Sequence, residues 1–312
     1  MADAVSQRPG RLDVGVVGAG RVGSILASAL RNAGHTVVGA SGISAESLER
    51  IDTLLPGVPV LEVPEVVAGA DLVLLTVPDD ALVPLIAGLA DVGAWRAGQI
   101  VVHTAGRYGT GILDPARAAG VIPLAIHPAM TFTGTSLDLS RLAGCFFAVT
   151  GPRPVLPIGQ ALVVEIGGEP MIVAEADRPL YHAALAHGAN HLVVLVSQAA
   201  QALAAAGVEE PGRVLAPLLT AALDGALRSG EQAVRAMTGP VMRGDAGTVQ
   251  EHLRVLTRFG VEDGSLDVAE TYRTLARSGT RRALAAGMLR PEAAGALLDA
   301  LAGVPPEDEE KQ

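Results

Sequence analysis

Residues 13–17, Asp-Val-Gly-Val-Val, form an apolar run that passes straight into Gly18-Ala19-Gly20-Arg21-Val22-Gly23, which then opens a helix. This order of strand, glycine turn and helix restricts the chain to an α/β fold with a ligand at the turn. Gly18 permits the tight turn, Gly20 leaves space for a pyrophosphate against the backbone, and Gly23 lets the helix pack close to the strand. The helix start adds unpaired N–H donors and a positive dipole end. In a chain with 37 glycines the spacing alone carries little; the strand before it and the helix after it carry the reading. Gly18, Ala19, Gly20, Arg21, Val22 and Gly23 are therefore expected to hold a dinucleotide.

Further strands are expected at 35–40, 71–77, 99–102 and 121–126, with helices at 46–55 and from Val77-Pro78-Asp79-Asp80 to about residue 90. Near-continuous apolar strands alternating with helices predict a doubly wound parallel sheet, and short strands near 145–149 and 170–173 complete its edge. Beyond Asp177-Arg178-Pro179 the β-branched runs stop. Helices are expected at 180–206, 211–229, 246–259, 267–284 and 291–302, the first starting on the Asp177 cap and stopping at Gly207. The expected division is a loose tail at 1–10, an α/β nucleotide-binding domain at 11–176, an all-helical substrate and dimerisation domain at 177–303, and an acidic tail at 304–312. The break itself should fall near 174–178.

A formal charge of −10, with Lys311 the only lysine, argues against a nucleic-acid face and removes lysine-based catalysis. The single cysteine, Cys145, cannot close an intrachain disulfide and reads as a buried strand thiol, so a reducing, cytoplasmic setting is expected. Residues 1–10 contain no apolar signal segment. Residues 183–208 lack Asp, Glu, Lys and Arg, yet His187, Asn190, His191, Ser197, Gln198 and Gln201 speak against a membrane span. The uncharged, alanine-rich faces of the helical half predict a homodimer with the long helix at its seam.

The end of the second strand reads Val38-Gly39-Ala40-Ser41-Gly42, with no carboxylate until Glu46, which favours NADP (NADPH) over NAD. Ser41 and Ser44 can donate to a 2′-phosphate, Arg21 or Arg50 can supply charge, and Ser44 also fits a helix cap. Val77 and Pro78 extend the cofactor wall from the third strand.

Catalytic candidates fall at strand ends, where ligands of such sheets lie. His103 follows 99–102, and His127 follows 121–126 with Pro128 fixing the chain after it; imidazole exchanges protons near neutral pH. Each could instead simply bond a loop carbonyl. On the helix at 180–206, Asn190, Ser197 and Gln201 recur at spacings of seven and four, with His187 one turn before His191. Such a stripe suits a cleft wall or, alternatively, a polar helix seam. In Thr238-Gly-Pro-Val-Met-Arg243-Gly-Asp245, Arg243 suits an anionic substrate with Thr238 beside it, whereas Asp245, or Thr248 with Glu251, fits a helix cap. Arg107 is a second anion candidate. His187 and His191 lack the glutamate of a hydrolytic zinc helix, so no metal is expected, and no GxSxG element or lysine P-loop is present.

Through Gly18–Gly23, Val77-Pro78-Asp79, His103-Thr-Ala-Gly106, Ile126-His-Pro128, Ala189-Asn-His-Leu192 and the 238–245 segment, the chain resembles a bacterial Rossmann-like family whose helical C-terminal half is a domain of unknown function. More distantly it is similar to pyrroline-5-carboxylate reductase, ketopantoate reductase and the 3-hydroxyacid dehydrogenases, which place a nucleotide domain before a helical one. Ketopantoate reductases and hydroxyacid dehydrogenases use a lysine and an asparagine on the first helix of the second domain. Here Asn190 is present, and His187 or His191 stands in the neighbourhood of that lysine. The resemblance implies an NADPH-dependent reductase of a small carboxylate-bearing carbonyl compound, a 2-oxo acid such as ketopantoate. His127 or His191 would protonate the alkoxide, Asn190 would orient the carbonyl or nicotinamide, and Arg243 would bind the carboxylate. Reduction of a cyclic imine and a non-catalytic NADP(H)-binding redox sensor are the alternatives.

Overall fold

The computed structural model describes residues 10–302, so the tails expected at 1–10 and 304–312 lie outside the described residues apart from Gly10. The chain forms two compact units that meet between His187 and Gly188. The first comprises β1 (Asp13–Val17), α1 (Arg21–Asn32), β2 (Thr36–Ser41), α2 (Ala45–Leu54), α3 (Val63–Gly69), β3 (Leu72–Leu75), α4 (Asp79–Asp91), β4 (Ile100–His103), α5 (Asp114–Arg117), β5 (Ile122–Pro128), α6 (Leu137–Arg141), β6 (Phe146–Thr150), α7 (Leu156–Glu165), β7 (Glu169–Ile172) and the start of α8 (Arg178–Ala205). Its seven strands lie in the order β2-β1-β3-β4-β5-β6-β7.

Both faces of this sheet are covered, which is why its central strands read as unbroken apolar runs. Leu72, Leu74, Ile100 and Val102 enter one core with Ile25 and Leu26 of α1, while Val73, Leu75 and Val101 enter the other with Leu82 and Ile86 of α4. The two-residue period of a strand makes this division.

The expectation of a parallel sheet is corrected at its edge. β6 runs antiparallel to β5, and only β7 returns parallel to β6. The chain between β5 and β6 stays at the carboxyl end of β5, where the Ala129 N–H donates to Phe146 O at 2.8 Å, so β6 starts from the end where β5 stopped. β4 and β5 also run further than expected: His103 pairs with Leu75 and His127 with Ala148, placing both histidines inside strands rather than after them. Cys145 is half-buried just before β6, not buried within it. The short helices α3, α5, α6 and α7 went unread, because pieces of four to ten residues show little periodicity; α3 also starts on Glu62, outside the usual capping residues.

The second unit contains the rest of α8, then α9 (Pro211–Ser229), α10 (Pro240–Arg243), α11 (Ala246–Asp263), α12 (Leu266–Ala285) and α13 (Pro291–Ala302). Its core joins Val249 and Leu253 of α11, Ala276 and Ala283 of α12, and Leu297 and Leu301 of α13. Gly207, at φ +88°, stops α8, and the Asp245 carboxylate accepts the Thr248 N–H at 3.0 Å to cap α11. Among the described residues no helix is long and apolar enough to cross a membrane, and no three His, Cys, Asp or Glu side chains gather to hold a metal.

Close packing of α3 on β1 depends on Gly15, where a Cβ would stand 2.7 Å from Val66 O and 2.9 Å from the Ala70 Cβ. Gly15→Ala should therefore destabilise the protein by about 1–3 kcal/mol through overpacking against backbone. A thermal melt checks this, and a Tm equal to wild type refutes it.

Candidate dinucleotide cleft

The crossover from β1 leads outward to β2, whereas that from β3 leads the other way to β4, so the sheet reverses between β1 and β3. Crevices beyond the strand ends at such a reversal are where open α/β sheets bind ligands. A cleft of about 1270 Å³ lies there, running from the glycine turn to His127 and His182, all within the first unit.

The glycine turn is held from both neighbouring strands. Gly18 takes φ +87°, its N–H donates to Ser41 Oγ at 3.2 Å, and the Ala19 N–H donates to Ser41 O at 2.7 Å. From β3's end, the Thr76 hydroxyl donates to Gly18 O at 2.7 Å. Gly23 faces this junction; a Cβ on it would run into Thr76 Oγ1 and stand 2.7 Å from Gly18 O. Gly20 is open, with no atom nearer than 3.9 Å to a Cβ placed there, and as N-cap of α1 it offers no side-chain acceptor. The first-turn N–H groups of α1 are thus left for a ligand, and the turn fits a pyrophosphate.

Beyond it the wall is formed by Ser41, Ser44 and Ser47. Ser44 caps α2 by accepting the Ser47 N–H at 3.2 Å, so capping and cleft lining coincide in one residue. Val77 and Pro78 also line the cleft. Two carboxylates join this wall that the spacing after β2 did not reveal: Glu62 and Glu65 at the start of α3, where Glu65 accepts the Glu62 N–H at 3.3 Å.

At the far end, Thr104, Ala105 and Gly106 follow β4, His127 comes from β5 and His182 from α8. A Cβ on Gly106 would stand 2.5 Å from His182 Cδ2 and 3.0 Å from His127 Nε2, so only glycine leaves the rings their positions. The Tyr181 hydroxyl lies 2.9 Å from His127 Nδ1, and the His127 ring packs edge-on to Tyr181 and His182 at 5.6 and 5.8 Å between centroids. Beneath them Arg178 is fully buried; it donates from Nε to Thr150 Oγ1, from one terminal nitrogen to Ala105 O and Gly106 O, and from the other to Ala125 O and Ala148 O.

Burial, reinforced by the Arg178 charge, pushes His127 down to about 4, and burial pushes Tyr181 up to about 12. At neutral pH the phenol therefore keeps its proton and His127 is a neutral imidazole, the two joined through Nδ1.

Other candidates lie elsewhere. His103 is fully buried, donates from Nε2 to Gly109 O at 2.8 Å and does not line the cleft. Arg107 is paired to Asp79 at 3.1 Å and lies 4.4 Å over the Tyr108 ring. His187 is exposed at the end of the first unit, and Asn190, His191 and Ser197 are exposed on the α8 segment of the second. Farther along α8 the seam alternative describes the amides: Gln198 donates to Asp267 and Gln201 to Asp263, each at 2.6 Å. Arg243 is exposed at the end of α10, while Thr238 lines a separate cavity of about 450 Å³ with His252 and Tyr272. The structure thus gathers the glycine turn, Ser41, Ser44, Val77, Pro78 and His127 in one cleft and leaves Thr238 and Arg243 on the second unit. Sequence reasoning missed Arg178, Tyr181 and His182; the one signal was a cluster of polar groups on the first turns of an otherwise uncharged helix.

Burial also pushes His103 down to about 4. The unfolded imidazole binds a proton near 6.5, so the stability it contributes is complete above pH 6.5 and is lost as pH falls toward 4, by up to roughly 3 kcal/mol. His103→Gln, which keeps a donor for Gly109 O but cannot titrate, should flatten the fall in unfolding free energy across that window. Denaturant titrations at several pH values check this; parallel curves for both proteins refute it.

Residues 2–128 match the Rossmann-like domain and residues 145–279 match the domain of unknown function DUF2520. No curated protein matches the chain. In fold it is similar to a protein of Bacteroides fragilis assigned as an NADP oxidoreductase, at 20% identity over 86% of this chain and 97% of that one, with a TM-score of 0.68. It is similar to a reductive aminase from Aspergillus terreus in complex with NADPH and ethyl-5-oxohexanoate (18% identity, 89% and 95% coverage, TM-score 0.63). The pyrroline carboxylate reductase of Plasmodium falciparum with NADP bound also shares the fold (14% identity, 86% and 98% coverage, TM-score 0.55). Along the sequence, the match to the Rossmann-like domain thus precedes the match to DUF2520.

Proposed function

We propose that the protein is an NADPH-dependent reductase of a small compound with a C=N bond. The observation that carries this reading is the cleft that begins at the open first turn of α1 and ends at the Gly106, His127 and His182 cluster. Gly18 to Gly23 would hold the pyrophosphate, Ser41 and Ser44 the adenosine side, and Val77 and Pro78 the path to the histidines. When bound, the cofactor supplies the hydride. His127, uncharged and tied to Tyr181 through Nδ1, can use Nε2 to bond and orient a polar substrate atom. An imine nitrogen can arrive already protonated, so its reduction asks little of a group that is uncharged above about pH 4. The folds of a reductive aminase and a pyrroline carboxylate reductase accord with this chemistry.

A second reading is reduction of a 2-oxo acid such as ketopantoate. The Tyr181–His127 hydrogen bond favours it, since the pair makes a two-step route for a proton toward a carbonyl oxygen.

Two copies of the chain would pair through α8 and α9. Val193, Leu218 and Leu227 are 69, 65 and 72% exposed in the single chain, and the same apolar side chains on a second copy match their chemistry. Light scattering on a sizing column should give twice the 31.7 kDa chain mass; a monomer refutes the pairing.

Purified protein should consume NADPH with pyrroline-5-carboxylate faster than with ketopantoate, and His127→Ala should lower kcat by about 10²-fold while NADPH still binds. Because His127 stays neutral above about 4, replacing it should leave the shape of the rate profile between pH 6 and 8 unchanged. An inflection near 6.5 that vanishes in the variant would overturn the neutral-donor role. NADPH binding without turnover of either compound would point to the redox-sensor alternative.

A further inference from the structure

We infer that the acidic segment Glu307-Asp308-Glu309-Glu310 of this chain docks on an arginine ridge along the outer face of α12, as an intramolecular strap on the helical unit.

The helix α12 divides its surface by residue type. Ala276, Gly279, Thr280 and Ala283 are buried, whereas Thr274, Ser278, Arg281 and Arg282 are exposed and Arg277 is half-buried. Arg273, Arg277 and Arg281 recur every four residues, which sets them in one row. Arg277, Arg281 and Arg282, together with Thr274 and Ser278, line a groove of about 580 Å³ along the helix.

The charge of this face is unbalanced. Between Glu270 and Glu292 the chain carries five arginines and no carboxylate, although its net charge is −10. Arg107, Arg117, Arg213, Arg228 and Arg254 each have a carboxylate partner. Among the described residues Arg273, Arg277, Arg281 and Arg282 form no ion pair, and Arg273 Nε is shielded from solvent without an acceptor. Like charges one turn apart oppose the helix that carries them, and guanidinium forks in a row suit a run of carboxylates.

The chain supplies such a run close by. The helix α13 follows α12 after the connection 286–290 and packs against it, with Leu297 and Leu301 in the same core as Ala276 and Ala283. Residues 303–306 give a spacer of about 13 Å when extended, more than the radius of about 5–6 Å of a helix with its side chains. The acids can therefore pass from the end of α13 round to the outer face of α12. Four extended residues cover about 13 Å, and the row from Arg273 to Arg281 rises about 12 Å, so the two charge runs match in length. A tether this short holds the carboxylates at an effective concentration in roughly the millimolar range, which favours them over free anions.

The test is a spin-label distance measurement on the full chain in a Cys145→Ser background, with labels at Ala286→Cys and Gln312→Cys. Neither label changes a charge. At low salt the distances should form one narrow, short population. That population should be lost at about 1 M salt, where screening acts over about 3 Å, and in the Arg277→Ala/Arg281→Ala double variant. Alanine favours the helix at those surface positions. Should the double variant nevertheless melt early, neutralising Glu307, Asp308, Glu309 and Glu310 to their amides must give the same loss with the ridge intact. A broad distribution at low salt, or a narrow one that survives both charge removals, overturns the strap. Mixing with unlabelled chain should leave the short population unchanged; its loss on mixing would place the segment on the ridge of a second copy and overturn the intramolecular docking.

Discussion

Arg178 is a guanidinium with no exposed surface that forms no ion pair among the described residues, and much of the first unit is arranged around it. An isolated buried cation costs several kcal/mol unless its donors are all met. Here the five N–H groups of the fork find Thr150 Oγ1 and the carbonyls of Ala105, Gly106, Ala125 and Ala148, which belong to β5, β6 and the chain leaving β4. Burial lowers Arg178 to about 10, so it remains charged at neutral pH. The fork pins the first turn of α8 to the strand ends, and Tyr181 and His182 are carried onto His127 as a result. The same charge, with burial, keeps His127 neutral.

A second constraint lies at the other end of the cleft, where two hydroxyls do the work of fixing a glycine turn. Ser41 accepts from Gly18 and Thr76 donates to it, so the turn is tied to β2 on one side and β3 on the other. Without those ties the permissive backbone of three glycines would be costly to order. With them, the open N-terminus of α1 is presented in one position. Gly23 is needed because the Thr76 side chain occupies the space a larger residue would take.

The two ends together shape the chemistry. A phosphate-shaped turn and serine wall lead to a pair of imidazoles beside Gly106, one of them hydrogen-bonded to a phenol.

The α/β class, the glycine turn, the switch to helices near residue 177 and most strand positions were legible in the sequence, because they rest on local rules. Apolar runs, proline and glycine placement and helix caps act within a few residues. The reversed direction of β6, the inclusion of His103 and His127 within strands, and the fate of each histidine were not legible. They depend on which backbone lies alongside and how much water it excludes. His103 and His127 occupy similar strand-end positions in the sequence, yet one is sealed against Gly109 O and the other opens onto the cleft. Arg178, Tyr181 and His182 read as an ordinary helix start, and they acquire roles because residues 28 to 73 positions earlier in the chain supply their partners. Sequence by itself determined the type of each element and the place of the turn. Only tertiary structure decided protonation states and neighbours, because burial and charge proximity are properties of packed surfaces and have no signature in residue order.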